Sequence, residues 1–405
     1  MKLLLINSVC GATSTGRIVT DLYDAATKEG IQCKIAYGEL RHPNITEGYD
    51  TIQIGSKANN YLHAIGTRIS DKHGLYSKRA TGKLLAEIDS FAPDVIHIHN
   101  LHGYYINYEM LFDYLKKHEN IRVFWTLHDC WSMTGHCAHF TEIGCGMWIS
   151  GCKNCPQKKT YPSSLLHDNS SDNYSRKKKA FTGVKNLTLL VPSKWLENLV
   201  KKSFLKDYPV VVTNNGVDLS AFYPLKEDTK SKYSLEKKKV ILGVANIWVP
   251  NKGLRFYIDL AGKYESLKRD DVEIVIVGRT GGQEASFSSN MKWIPFTNSK
   301  EELNELYNAA DLYISFSSEE TFGMTIVEAM AAGTFPIAME GTACAEIIED
   351  SVGKVCQRNV DAAFEVIEEY LSDLDNKPSK EEIAFWSKKY SLERFIGQVL
   401  DQYKG

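Results

Sequence analysis

The feature that most constrains this chain is a pattern that runs along it twice: short apolar runs alternating with amphipathic helical segments. KLLLIN reads as a strand, GRIVTDLYDAATKEG as a helix with Ile18, Leu22 and Ala25 on one face, and IQCKIAYG as a second strand. DVIHIHN, IRVFWTL and LTLLVPS continue the series. Short apolar strands separated by helices predict an α/β chain with parallel sheets covered on both faces. Around residues 213–238 the pattern breaks into TNNGVDLSAFYPLKEDTKSKYSLEKK, which is polar, punctuated by Gly and Pro, and reads as a linker. A second alternation follows, with KVILGVAN, VEIVIVG, DLYISF and TFPIAM as strands. The expected organisation is an α/β domain over 1–212, another over 213–380, and a helical segment over 381–405 that packs back on the first. Two helix starts carry capping-box pairs, Ser299 with Glu302 and Ser379 with Glu382.

Charge narrows the function classes. Lys plus Arg number 48 against 50 acids, so the net charge of −2 gives no general reason to bind nucleic acid, and any cationic site must be local. No apolar run approaches the roughly 18 residues of a membrane span. Leu3–Ile6 is too short for the core of an export signal, so a cytoplasmic protein is expected. In that compartment the nine cysteines are expected free or metal-bound rather than disulfide-linked.

One stretch concentrates chemistry. In ISFSSEETFGMTIVEAMAAGTFPIA, Glu320 and Glu328 flank a helix start at Gly323. Ligands of open α/β sheets bind beyond the carboxyl ends of strands, where helix N-termini favour phosphate. Eight helical steps span roughly 12 Å, which suits two carboxylates gripping hydroxyls on either side of a diphosphate. A nucleotide sugar has that layout. Taken alone, the pair also fits a helix cap at Glu320 and an ordinary exposed Glu328.

The E-x7-E arrangement followed by EAMAAGTFPIA resembles the signature of the retaining glycosyltransferases of family 4. The resemblance covers nearly the whole chain. GATSTGRIV is similar to the family's first glycine-containing loop, DVIHIHN and TLHD to its histidine-bearing strand ends, and VPSKWLENLV to its Ser-led helix. NNGVDLSAFYP is similar to its interdomain turn, and NKGL to its lysine segment. The resemblance implies the GT-B fold, two facing Rossmann-like domains with a deep cleft. It implies that Glu320 contacts the donor sugar and Glu328 the ribose. Phe322, Gly323, Met324 and Thr325 would line the diphosphate, and Lys252 would neutralise it as it leaves. His128 would orient the reacting centre, and Gly16 would allow close approach in the first loop. No metal is implied for catalysis. Retention at the anomeric carbon is implied as well. No covalent nucleophile stands out, which favours same-face attack with the departing phosphate as base. Where many members carry an arginine shortly before the lysine, this chain has Asn246 and Ile247, leaving Arg255 or Arg279 as substitutes.

HDCWSMTGHCAHFTEIGCGMWISGCKNCPQ, within an insertion over about 129–162, lies outside the basic fold. Cys152 and Cys155 have the C-x2-C spacing of a zinc knuckle, and Cys137 and Cys145 complete a possible four-thiolate structural zinc site. Free thiols and a disulfide remain as alternatives. His97 and His99 fall on one side of a strand end, where such residues fill a cleft wall more readily than they hold metal. The basic stretches 67–85 and 173–181 mix cations with apolar residues, as an interfacial surface would.

The expected activity is therefore transfer of a sugar from a UDP- or GDP-sugar to a saccharide acceptor, lipid-diphosphate-linked. It would act at the cytoplasmic face of the inner membrane, in assembly of O-antigen, capsule or exopolysaccharide. A GT-B epimerase or phosphorylase, or a zinc-dependent nucleic-acid binder, are the competing readings.

Overall fold

The computed structural model describes residues 1–40, 43–373 and 376–405. They divide into two compact units, Met1–Thr213 with Ile396–Gly405, and Asn214–Phe395. The first is built on β1 (Lys2–Ile6), β2 (Gln32–Tyr37), β3 (Thr51–Gln53), β4 (Val95–Ile98), β5 (Arg122–Thr126), β6 (Leu187–Val191) and β7 (Val210–Val212). These form a parallel sheet in the order β3-β2-β1-β4-β5-β6-β7. The second unit has β8 (Lys239–Ile247), β9 (Val272–Arg279), β10 (Met291–Ile294), β11 (Leu312–Ser315), β12 (Phe335–Met339) and β13 (Lys354–Cys356). Its sheet is also parallel, in the order β10-β9-β8-β11-β12-β13.

Both orders reverse at a defined place. After β1 the chain moves outward through β2 and β3, then returns to lay β4 on the other side of β1; β8 and β11 repeat this in the second unit. Loops leaving the two strands at a reversal diverge, and a crevice opens between them at the carboxyl ends. The strands at the reversals are the apolar runs of the sequence: Leu3 to Ile6 and Leu312 to Ile314 are wholly or almost wholly buried. The strands that the sequence pattern passes over, β3, β7, β10 and β13, lie at or beside sheet edges and have three or four residues each. Such short pieces are too brief to show a period.

The stretch 213–238, read as a linker and as the start of the second domain, belongs to the second unit from Asn214. Val217, Phe222 and Leu235 are buried in that unit's core, and Val217 pairs with Ser391. Three well-spaced apolar anchors suffice to hold a polar segment down. The segment 381–405 is divided as well, with 396–405 counted in the first unit. There Tyr403 is buried with its hydroxyl on His97, and Arg122 donates 2.7 Å hydrogen bonds to the carbonyls of Gln402 and Tyr403. The Ser379–Glu382 capping box is complete. Ser299 accepts from the Glu302 amide, but the Glu302 carboxylate turns to Asn298 at 2.7 and 3.0 Å instead of closing the box. Among the described residues no helix is long and apolar enough to cross a membrane.

Candidate active site

Lys252 follows β8 and Glu320 follows β11, so sheet order alone brings the two loops to the reversal of the second unit. The loops are stitched together there. The Ser318 amide donates to the Asn251 carbonyl at 2.9 Å, and the Lys252 ammonium pairs with the Glu320 carboxylate. Ser317 Oγ donates to the same carboxylate at 3.2 Å. Burial pulls the Lys252 pKa down, but the adjoining Glu320 carboxylate outweighs it and leaves the pKa raised, so the ammonium stays charged.

The helix Met324–Ala331 starts beside this pair. Gly323 caps it at φ 113°, and a β-carbon there would lie 2.8 Å from Cys344 Sγ, so only glycine fits this entry without strain. No side chain caps the helix, and its first turn holds no acid. The opening amides of a helix have no acceptor inside it, and with the positive end of the dipole they suit an anion. Phe322 is buried against Tyr390, with ring centroids 5.5 Å apart, and anchors the turn. Thr325 Oγ1 accepts from the buried Tyr313 hydroxyl at 2.7 Å, and Glu328 Oε2 accepts from the buried Tyr307 hydroxyl at 3.0 Å. Two tyrosines thus set the rotamers of this helix's polar face.

The first unit places histidines at the ends of β4 and β5. His99 Nδ1 and His128 Nε2 are 3.0 Å apart with stacked rings, and His97 is hydrogen-bonded to Thr126 Oγ1 at 2.7 Å. Burial lowers the pKa of His128 to about 4 and that of His97 to about 3, so both imidazoles are neutral near pH 7. His102 Nε2 meets Asp129 Oδ2 at 2.6 Å, and its Nδ1 meets the Tyr161 hydroxyl at 3.1 Å. Burial alone would raise the Asp129 pKa; the His102 imidazole and the Trp131 amide hold it below the usual carboxylate range. Gly16 lies inside the helix Thr13–Lys28, where a β-carbon would come within 3.1 Å of Val9 and 3.2 Å of the Gly11 amide. It lets this helix close on its own leading loop. A cavity of about 560 Å³ beside β3 holds none of the residues named so far as site candidates.

The family model of Glycosyltransferase Family 4 matches residues 15–221, about half the chain. The chain belongs to glycosyltransferase family 4. The model of Glycosyl transferases group 1 matches residues 226–383 of this glycosyltransferase. It is 25% identical over 370 residues to the putative colanic acid biosynthesis glycosyl transferase WcaC of Escherichia coli K12, covering 87% of each chain. Its fold is similar to that of sucrose-phosphate synthase from Thermosynechococcus elongatus, with TM-score 0.71 at 14% identity over 100% and 98% of the two chains. It is similar also to Anabaena HepE, solved with UDP-glucose, with TM-score 0.65 at 14% identity over 100% and 99%. The glycosyltransferase has the GT-B fold, with two parallel α/β sheets.

The remaining sequence candidates of this glycosyltransferase lie on β9, on the helix after Lys252 and in the cysteine-rich loop. Arg279 ends β9 exposed, with Nη2 3.2 Å from Asn246 Oδ1, and Arg255 is exposed beside Asp259. A cation that sequence reasoning passed over borders the Ser317–Glu320 loop: Arg358, just after β13, donates from Nε to the Phe316 carbonyl at 2.8 Å and lies 4.7 Å over the Phe256 ring. Phe316 is the last residue before the Ser317–Glu320 loop. No sequence signal marks Arg358, because its position depends on β13 being a strand. His102 with Asp129 is the other missed pair. Of the apolar side chains in the two basic stretches, Leu75, Ala80, Leu84, Tyr174 and Phe181 point into the core, while Ile69 is exposed. Cys137, Cys145, Cys152 and Cys155 are all free thiols around one small cavity.

Proposed function

We propose that this protein is a retaining hexosyltransferase that moves a sugar from a UDP- or GDP-sugar to a lipid-diphosphate-linked saccharide in surface-polysaccharide assembly. The observation that carries the reading is the meeting of Lys252 and Glu320 at the reversal of the second sheet, beside a helix opened by Gly323. Lys252 and the opening amides of Met324 and Thr325 take the diphosphate, Glu320 the sugar hydroxyls, and Glu328 the ribose. Arg358, held near the same loops, supplies the second positive charge in preference to Arg279. As the sugar–phosphate bond breaks, negative charge grows on the diphosphate, and preorganised cations and amides stabilise that charge most where water is scarce. The departing phosphate oxygen takes the acceptor hydroxyl's proton on the same face, and configuration is retained. For the first unit we propose acceptor binding at the strand ends bearing His99, His102 and His128, with His128 polarising the reacting centre as the family resemblance implies. The similarity to WcaC supports the polysaccharide setting.

Thermal shift against UDP-, GDP-, CMP- and dTDP-sugars, without added metal, tests the donor reading. One nucleotide class is expected to stabilise the protein, by about 2.7 kcal/mol at 100 times its Kd. Glu328→Ala should lose most of that shift. No shift with any donor, or an unchanged shift in the variant, overturns the assignment.

A lipid-linked acceptor requires access to a bilayer surface, and the first unit offers a face for it. On the helix Lys57–Ser70, Tyr61, Leu62, Ile65 and Ile69 are exposed in a helical stripe, with Leu62 at 70%. Leu165 and Leu166 extend it, because the Leu165 amide bonds the Arg68 carbonyl at 2.7 Å. Lys57 and Arg68 on the helix and Lys158 and Lys159 ahead of Leu165 supply cations, and the acids that follow the two segments, Asp71 and Asp168, are engaged in local hydrogen bonds. Apolar anchors among cations suit an anionic bilayer. Co-sedimentation with phosphatidylglycerol vesicles, weaker with phosphatidylcholine, is the expected result, and Leu62→Asp with Ile65→Asp should lower it about tenfold. Wild-type protein that stays in the supernatant with both lipids refutes the docking face.

A further inference from the structure

The cysteine-rich loop contains a buried polar cluster that glycosyl transfer does not use. Cys137, Cys145, Cys152, Cys155 and His136 line one small cavity, roofed by the stacked rings of Phe140 and Trp148 at 4.7 Å. Cys137 and Cys155 line the same wall of this cavity, and the Gly135 amide donates to Cys152 Sγ at 3.2 Å. His136 is wholly buried. Its Nδ1 meets Asp71 Oδ1 at 2.5 Å, while its Nε2 has no hydrogen-bond partner. Asp71 is fixed in turn by the Asn169 amide at 2.9 Å. A buried imidazole nitrogen left unsatisfied costs roughly 1–3 kcal/mol, a cost that a group bound among the thiols would remove. Lys177 is also buried, its ammonium 2.7 Å from the Trp131 carbonyl and within electrostatic reach of Cys152 and Cys137.

We propose that this loop is a structural zinc site: Cys137, Cys145, Cys152 and Cys155 ligate the ion as thiolates, and His136, oriented by Asp71, supports a sulfur from outside the coordination shell. Four soft sulfurs match zinc and leave no open position for catalysis. The four thiol protons leave on binding, and the resulting tetrathiolate carries two negative charges. Lys177 offsets one, the Gly135 amide donates to sulfur, and His136, whose Nδ1 proton is committed to Asp71, takes one of the four released protons at Nε2 and donates it to sulfur, the outer shell that such sites require. Among the described residues no three His, Cys, Asp or Glu side chains already stand in coordination geometry. Side-chain rotation within the loop must therefore accompany binding, as in sites where metal binding and local folding are coupled. The base of this loop is held by His136, Asn169 and Asn173 on Asp71 and by Trp131, Phe140 and Trp148 in the core, and the ion would tie the cysteine-bearing segment to that base.

The test uses wild-type protein purified with reducing agent and without chelator. Elemental analysis should give one zinc per chain, and titration with a mercurial thiol reagent should release it as four thiols react. Cobalt substitution should give the intense sulfur-to-metal charge-transfer bands of a tetrathiolate. His136→Gln should retain the stoichiometry and the cobalt spectrum but lose zinc to a chelator at least tenfold faster. Metal-free protein with no cobalt charge-transfer bands, or a Cys152–Cys155 disulfide found by mass spectrometry, overturns the site. A cobalt spectrum that changes in His136→Gln overturns the outer role given to this histidine.

Discussion

Glu320→Ala is expected to lower kcat by about 10²–10³-fold, the loss typical when one preorganised polar group is removed from a developing charge. The fold should survive. The Glu320 side chain is 23% exposed and its partners are Lys252 and Ser317, so the stability change should stay within about 1 kcal/mol. The variant separates two roles that activity alone confuses. In the unliganded protein Lys252 is paired with Glu320, and removing the carboxylate frees the ammonium for phosphate. Affinity for the free nucleoside diphosphate should therefore be unchanged or tighter by calorimetry while turnover collapses. Near-normal turnover would remove Glu320 from the site, and a large loss of nucleoside-diphosphate affinity would move it from the sugar to the phosphates.

Lys252→Ala should show the opposite pattern. It deletes the cation and leaves the Glu320 carboxylate facing the diphosphate without its counter-charge, so binding suffers from lost attraction and from added repulsion. Nucleoside-diphosphate Kd is expected to rise at least tenfold, and kcat to fall by about 10²–10³-fold as the leaving group loses stabilisation. Because the two side chains touch, the double variant should lose less than the sum of the single effects. Calorimetry and steady-state rates on all three variants complete the cycle. Additive losses would mean that the ion pair is a surface contact with no part in donor binding.

Legibility in the sequence followed physical range. The apolar runs at residues 3–6 and 312–314 are buried on both faces because a strand's own composition records how much of it meets solvent. The glycine at 323 and the acids around it were readable because a helix start is a local event, governed by a few adjacent residues. The family motifs belong to the same short range, each a strand end or turn of a few residues.

Contacts across many residues were decided elsewhere. Arg358 reaches Phe316 across 42 positions, His102 meets Asp129 across 27, and Asp71 holds His136 across 65, each through strand order or loop packing that no period in the chain records. Burial also redistributed side chains within the basic stretches: the apolar residues at 75–84 turned inward, while the exposed stripe appeared on the neighbouring helix at 61–69. The sequence by itself determined the two parallel sheets, the family and the loops that carry Lys252, Gly323 and Glu320, because those are written in local periodicity and turn chemistry. Tertiary structure alone decided which of those loops meet, which cations and carboxylates pair, and which apolar faces remain in water, because these depend on sheet order and close packing of segments far apart along the chain.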